Sequence, residues 1–115
     1  MMMKKETVKT KEIQLRVVVF NEDGWIVAQC LEHDIAVQSK SHGGVLRALT
    51  AALYANIALA CQHGIEPLSN FKPAPAEYEK RFSTAPFVQK LPLQPEDHEP
   101  EGTEKMRARA EFAFA

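Results

Sequence analysis

The chain has 115 residues and a net charge of -1 with neutral histidines; 45% of its residues are hydrophobic and 25% are charged. This length suits one domain with a modest core. The balanced charge argues against a protein that binds nucleic acid mainly through a positive field. Two cysteines cannot supply a disulfide framework, and the lysine-bearing N-terminus has no apolar core like that of a secretory signal. The most apolar stretch, residues 45–61, is shorter than a membrane span. We therefore expect a cytoplasmic protein with no membrane partner.

The first half of the chain predicts an antiparallel meander. Residues 1–11 are rich in lysine and are expected to form a flexible leader. Alternating apolar residues from Ile13 onward predict a strand, and Asn21–Gly24 is a turn in which glycine can adopt a positive φ. Strands over Trp25–Leu31 and Ile35–Ser39 follow after short connections.

A long helix should follow the third strand. Ser41 is a suitable N-cap, Gly64 suits the position after the helix end, and the body runs to about Gln62. A core stripe at helical spacing comprises Leu46, Leu49, Leu53, Ile57 and Ala60. Arg47 is the one charged residue between residues 45 and 62, so the helix should be buried on nearly all sides. One small sheet covers a single side, so the C-terminal segment, a second copy or a partner must cover the rest.

The second half of the chain divides into two segments after a domain at residues 12–70. Residues 71–103 form a proline-rich and acidic extension with a short predicted helix, Ala76–Ser83, and an acidic run at 96–101. In residues 104–115, apolar and polar side chains alternate from Met106 to Phe114, which predicts a strand. The same residues are good helix formers, so a helix is the alternative.

The pieces RVVVFNEDGWIVAQCLEHDIAVQSKS and HGGVLRALTAALYANIALAC resemble the HicB-like antitoxin family over residues 13–63. The resemblance implies a β-β-β-α-β arrangement, a partial RNase H-like fold, and binding to a small HicA-type toxin that cleaves mRNA. Two features depart from the family. His42-Gly43-Gly44 replaces the usual acidic residues of the first helical turn, and the tail lacks the pattern of a ribbon-helix-helix or helix-turn-helix domain. Direct DNA binding is therefore not expected.

The residues themselves offer little basis for catalysis. Two-metal hydrolysis requires carboxylates from several elements to converge on two ions. The candidates are turn residues, namely Glu22, Asp23, Glu32 and Asp34, and the long helix contributes no acid. Zinc ligands would be Cys30, His33, Cys61 and His63, but their spacing matches no familiar zinc site, and both cysteines extend apolar patterns. We expect no enzyme activity, no metal and no cofactor.

The sequence thus predicts an α+β fold in which an antiparallel sheet of three to four strands carries one long helix on one face. The expected function is non-catalytic, as a HicB-like antitoxin that binds a HicA-type toxin. An orphan HicB-like module without a toxin is the alternative, and a residual nucleic-acid-binding protein is a more distant one. A homo-oligomer, with a dimer as the first choice, is expected from the apolar helix. The candidate interface residues are Tyr54, Ala55, Ala58, Leu59, Phe112 and Phe114.

Overall fold

The computed structural model describes residues 11–95 and 106–115. The predicted leader, apart from Lys11, and the acidic run at 96–101 lie outside the described residues. The elements in chain order are β1 (Lys11–Glu22), β2 (Trp25–Cys30), β3 (Ala36–Ser39), α1 (His42–Gln62), α2 (Ala76–Thr84), β4 (Phe87–Leu93) and β5 (Met106–Phe114). The strands form one sheet in the order β3-β2-β1-β5-β4.

The protein is therefore α+β, with a five-stranded mixed sheet and two helices. The meander β1-β2-β3 is antiparallel as predicted, and β4 pairs antiparallel with β5. The prediction of an antiparallel sheet of three to four strands holds only in part, because β5 lies parallel to β1 and a fifth strand is present. That fifth strand is β4, which the prolines around it had marked only as extended chain.

The two ends of α1 follow the sequence. Ser41 Oγ accepts a hydrogen bond from the Gly44 N–H at 2.9 Å, and Gly64 has a φ of +68° just past the helix. A Cβ placed on Gly44 would lie 2.2 Å from Ser39 Oγ. Glycine at this position lets the end of β3 pack closely against the first turn of α1.

The core lies between α1 and one face of the sheet. Alternate residues of β1, β2 and β5, including Val17, Ala28 and Ala110, share this core with Leu53 and Ile57 of α1. Among the described helices, α1 alone is long and apolar enough to cross a membrane, because it extends beyond the apolar stretch at residues 45–61 that the sequence analysis judged too short. Of its apolar 18-residue stretch, 44% is buried within this chain. A core helix of a soluble protein has the same length and composition.

The opposite face of the sheet carries a smaller cluster under α2. Val18, Phe20 and Leu31 are buried there, and Val27, Tyr78 and Phe82 pack against them. The Phe20 and Tyr78 rings stack with their centroids 6.0 Å apart, and the Arg81 guanidinium lies 4.4 Å from the Phe20 centroid. These contacts hold the amphipathic α2 predicted at 76–83, although none of its own residues is fully buried.

Candidate protein-interaction surface

One row of α1 faces away from the sheet and remains exposed. Its members lie four residues apart and therefore share one side of the helix: Gly43, Arg47, Ala51, Ala55 and Leu59. Leu59 is 52% exposed, which is unusual for a leucine in a helix that otherwise forms the core. Arg47 carries the only charge of the row. We call these five residues the α1 row.

The predicted interface residues separate into three groups by their exposure. Tyr54, Ala58 and Phe112 are buried by this chain itself, so a partner could reach them only if the chain opened. Phe114 is half-buried at the end of β5, whereas Ala55 and Leu59 belong to the exposed α1 row. The sequence left three candidates to cover the rest of α1: the C-terminal segment, a second copy or a partner. The C-terminal segment covers a large part of it.

Tyr54 shows how the C-terminal segment covers the helix. Its hydroxyl accepts a hydrogen bond from the Ala108 N–H at 3.1 Å and donates one to the Leu93 carbonyl at 2.8 Å. Both partners are backbone groups, one on β5 and one on β4. Sequence reasoning missed this contact because it depends on β4, a strand that was not predicted.

An aromatic corner lies where the N-terminus of α1 meets the ends of β4 and β5. The Phe114 ring centroid lies 5.8 Å from that of Phe87 and 6.3 Å from that of His42. Phe87 is 58% exposed and its neighbour Val88 is 45% exposed, so this edge presents apolar surface to solvent. The sequence analysis named Phe114 but did not single out Phe87, whose exposure follows from its place at the start of an edge strand.

A polar groove of about 450 Å³ lies on the sheet face that α2 leaves uncovered. Arg16 on its border pairs with Glu32 and Glu79, each at 2.6 Å, and these two hydrogen-bonded carboxylates raise the pKa of its guanidinium. Within the described part of the chain, neither Lys90 nor Arg109 in this groove forms an ion pair. Both acidic and basic side chains line the groove, so it has no strong field of one sign.

The carboxylates considered for hydrolysis do not converge. Glu22 and Asp23 precede β2, whereas Glu32 and Asp34 follow it, so the two pairs lie at opposite ends of that strand. Asp34 accepts a hydrogen bond from Gln29 Nε2 at 2.9 Å, and Glu32 is paired with Arg16. Among residues 11–95 and 106–115, no three His, Cys, Asp or Glu side chains are grouped so that they could hold a metal ion.

The two cysteines lie in different environments. Cys30 is fully buried on β2, and burial raises the pKa of its thiol to about 11 despite a hydrogen bond from the His33 backbone. Cys61 is exposed near the end of α1, so the expectation that it is a core residue, drawn from the apolar pattern of the helix, is wrong. Cys30 is therefore a small core residue, as its alternation with Ile26 and Ala28 predicted.

No protein-family model, curated protein or solved structure matches this chain. The described fold and surface define an α+β domain whose long helix is covered by its own C-terminal strand on one side and exposed along the α1 row on another. A functional proposal rests on that surface, on the order of the elements and on the sequence resemblance over residues 13–63.

Proposed function

We propose that this protein is a non-catalytic, cytoplasmic HicB-like antitoxin that binds and neutralises a small HicA-type mRNA-cleaving toxin. The order of the elements carries the proposal. Three antiparallel strands lead into a long helix, and a later strand lies beside β1. The resemblance implies that same order. Here α2 and β4 are inserted before the last strand, and β4 extends the sheet beyond it.

The α1 row is the surface that we assign to the toxin. Ala51 and Ala55 present no long side chain, so a partner can approach the helix backbone closely, and Leu59 offers an apolar contact that is 52% exposed. A partner that buries Leu59 gains roughly 1–2 kcal/mol from the exposed part of that side chain. The proposed mechanism is steric: the bound antitoxin covers the RNA-cleaving surface of the toxin.

A second candidate function is an orphan HicB-like module that assembles with itself and has no toxin. The exposed Phe87 and Val88 on an edge strand favour this candidate. One simple observation distinguishes the two functions: the gene of an antitoxin should have beside it a short reading frame that encodes a basic protein. Nucleic-acid binding at Lys90 and Arg109 is less favoured, since Glu32 and Glu111 line the same groove.

The test is to express the protein from that neighbouring frame and titrate it with this chain by calorimetry. Wild-type chain should bind, and Leu59→Glu should weaken binding at least tenfold, because the partner would have to bury a charge. Ser69→Glu adds the same charge at an exposed loop position and should bind like wild type. If no reading frame for a basic protein lies beside the gene, the proposal of a toxin partner fails. If Leu59→Glu leaves binding unchanged, the α1 row is not the surface that binds the toxin.

A further inference from the structure

β4 lies at one edge of the sheet. Among the strands of the described residues, β4 pairs with β5 alone, and β3 forms the other edge of the sheet. Residues 87–90 of β4 are all exposed, and Phe87 and Val88 are among the large apolar side chains that the chain leaves in solvent. An exposed edge with apolar side chains invites pairing with another strand.

The direction of the backbone groups in β4 can be read from two residues. The Leu93 carbonyl faces β5, because it accepts the Tyr54 hydroxyl that also bonds to Ala108 of β5. Backbone groups alternate in direction along an antiparallel strand, so those of Val88, Lys90 and Pro92 face outward. Pro92 fits this assignment, since proline has no N–H and is tolerated on the open side of an edge strand.

The prolines limit how a second strand can pair with this edge. Pro86 and Pro92 flank the segment Phe87–Leu91, and neither can donate a backbone hydrogen bond. The outward N–H groups between them belong to Val88 and Lys90. The segment is also symmetric about Gln89 at two pairs of positions, since Phe87 and Leu91 lie two residues from it and Pro86 and Pro92 lie three residues from it.

We propose that β4 pairs antiparallel with β4 of a second copy of this chain, with Gln89 on the two-fold axis. Val88 of each copy then lies opposite Lys90 of the other, and the two exchange backbone hydrogen bonds. Both outward donors of each strand are used in this register, and the prolines lie at its ends. A register centred on Lys90 would instead place Val88 opposite Pro92, which has no N–H to donate to the Val88 carbonyl, and would place the two Lys90 side chains directly opposite each other.

The side chains agree with this register. On the α1 side of the sheet, exposed Phe87 of one copy meets half-buried Leu91 of the other, which is a favourable cross-strand pair. On the other side, the two Lys90 ammonium groups are diagonal neighbours. Glu111 is the cross-strand partner of Lys90 on β5 and offsets their repulsion. The paired sheets would form one ten-stranded sheet in which β4 is no longer an edge.

The first test compares two substitutions at one position by light scattering after gel filtration. A single strand pair is a small interface, so wild-type chain should dimerise with a dissociation constant in the range of about 1–100 µM. Lys90→Pro removes an outward N–H and should give a monomer, whereas Lys90→Ala keeps that N–H and should remain a dimer. A monomeric wild type at about 500 µM, or a Lys90→Pro variant that still dimerises, would overturn the proposal.

The second test does not depend on how well Lys90→Pro folds. In a Cys61→Ser background, Gln89→Cys places two thiols opposite each other across the axis, at a separation that a disulfide can span. It should cross-link under mild oxidation at dimer-forming concentration. Gln94→Cys is the control, because the register separates its two copies by roughly 30 Å. Equal cross-linking at both positions, or none at residue 89, would contradict the register. Neither test requires a toxin, so both remain informative if the antitoxin proposal fails.

Discussion

Tyr54 on α1 accepts a hydrogen bond from the backbone N–H of Ala108 on β5, with a distance of 3.1 Å. Leu93 and Ala108 face each other across β4 and β5, and the same hydroxyl donates to the Leu93 carbonyl at 2.8 Å. The side chain of the helix therefore stands between two backbone groups that a regular ladder would join directly. Through this contact, α1 holds the edge strand and the last strand of the sheet together.

Tyr54→Phe should destabilise the protein by about 1–3 kcal/mol, because it leaves a buried N–H and a buried carbonyl without their partner. Urea titration measures the change. Tyr78→Phe is the matched control, since it removes the same atom from a phenol that has no hydrogen bond within the described residues. The control should change stability by less than about 0.5 kcal/mol. Equal effects in the two variants would show that the Tyr54 hydroxyl does not bridge the strands.

Two leucines of α1 test how the helix is rotated on the sheet. Leu53 is fully buried and Leu59 is 52% exposed. Leu53→Ala should lower the free energy of unfolding by about 2–5 kcal/mol through lost burial and a cavity. Leu59→Ala removes the same atoms from the surface and should cost less than about 1 kcal/mol. Comparable losses at both positions in denaturant titrations would mean that the orientation of α1 is wrong.

The buried thiol predicts a pH dependence at the alkaline end. The pKa of Cys30 is raised from 9.0 to about 11, so the unfolded chain releases this proton first as the pH rises. The contribution of Cys30 is fully present below about pH 9 and is lost between about pH 9 and 11, by an amount on the order of 2 kcal/mol. Urea titrations across this range should show a steeper loss of stability in wild type than in Cys30→Ala. Parallel curves for the two proteins would contradict the burial of this thiol.

The attachment of α2 depends on the aromatic stack between Phe20 and Tyr78, whose ring centroids lie 6.0 Å apart. Tyr78→Ala should increase amide exchange across residues 76–84 and leave exchange in β1 unchanged, because α2 has no fully buried residue of its own. Lys80→Ala changes an exposed position of the same helix and serves as the control. An α2 that stays protected in Tyr78→Ala would show that other contacts hold it.

Local patterns predicted most of the elements. Period-two alternation identified β1, β2 and β5, and the cap at Ser41 together with Gly64 fixed the limits of α1 within a residue or two. These signals lie within short segments, so they can be read without knowledge of the fold. β4 was missed because Pro92 opposes a strand in general, and its tolerance here depends on the strand lying at an edge.

Long-range pairing was the part that the sequence could not supply. Nothing in Met106–Phe114 indicates that it lies parallel to β1, since that choice depends on the connection through α1, α2 and β4. For the same reason Tyr54 was placed among the interface residues: its helical position indicates a side but not which segment covers that side. Leu59 and Ala55 remained exposed because the extended sheet lies on the other side of the helix.

The central functional claim is that this chain neutralises an RNA-cleaving toxin by covering it. The most direct measurement is the rate at which the basic protein from the neighbouring reading frame cleaves a labelled RNA as this chain is added. The account predicts that cleavage stops near one wild-type chain per toxin. Ser69→Glu should inhibit as wild type does, whereas Leu59→Glu should inhibit only in large excess. Cleavage that continues at full rate with wild-type chain in excess would contradict the antitoxin proposal.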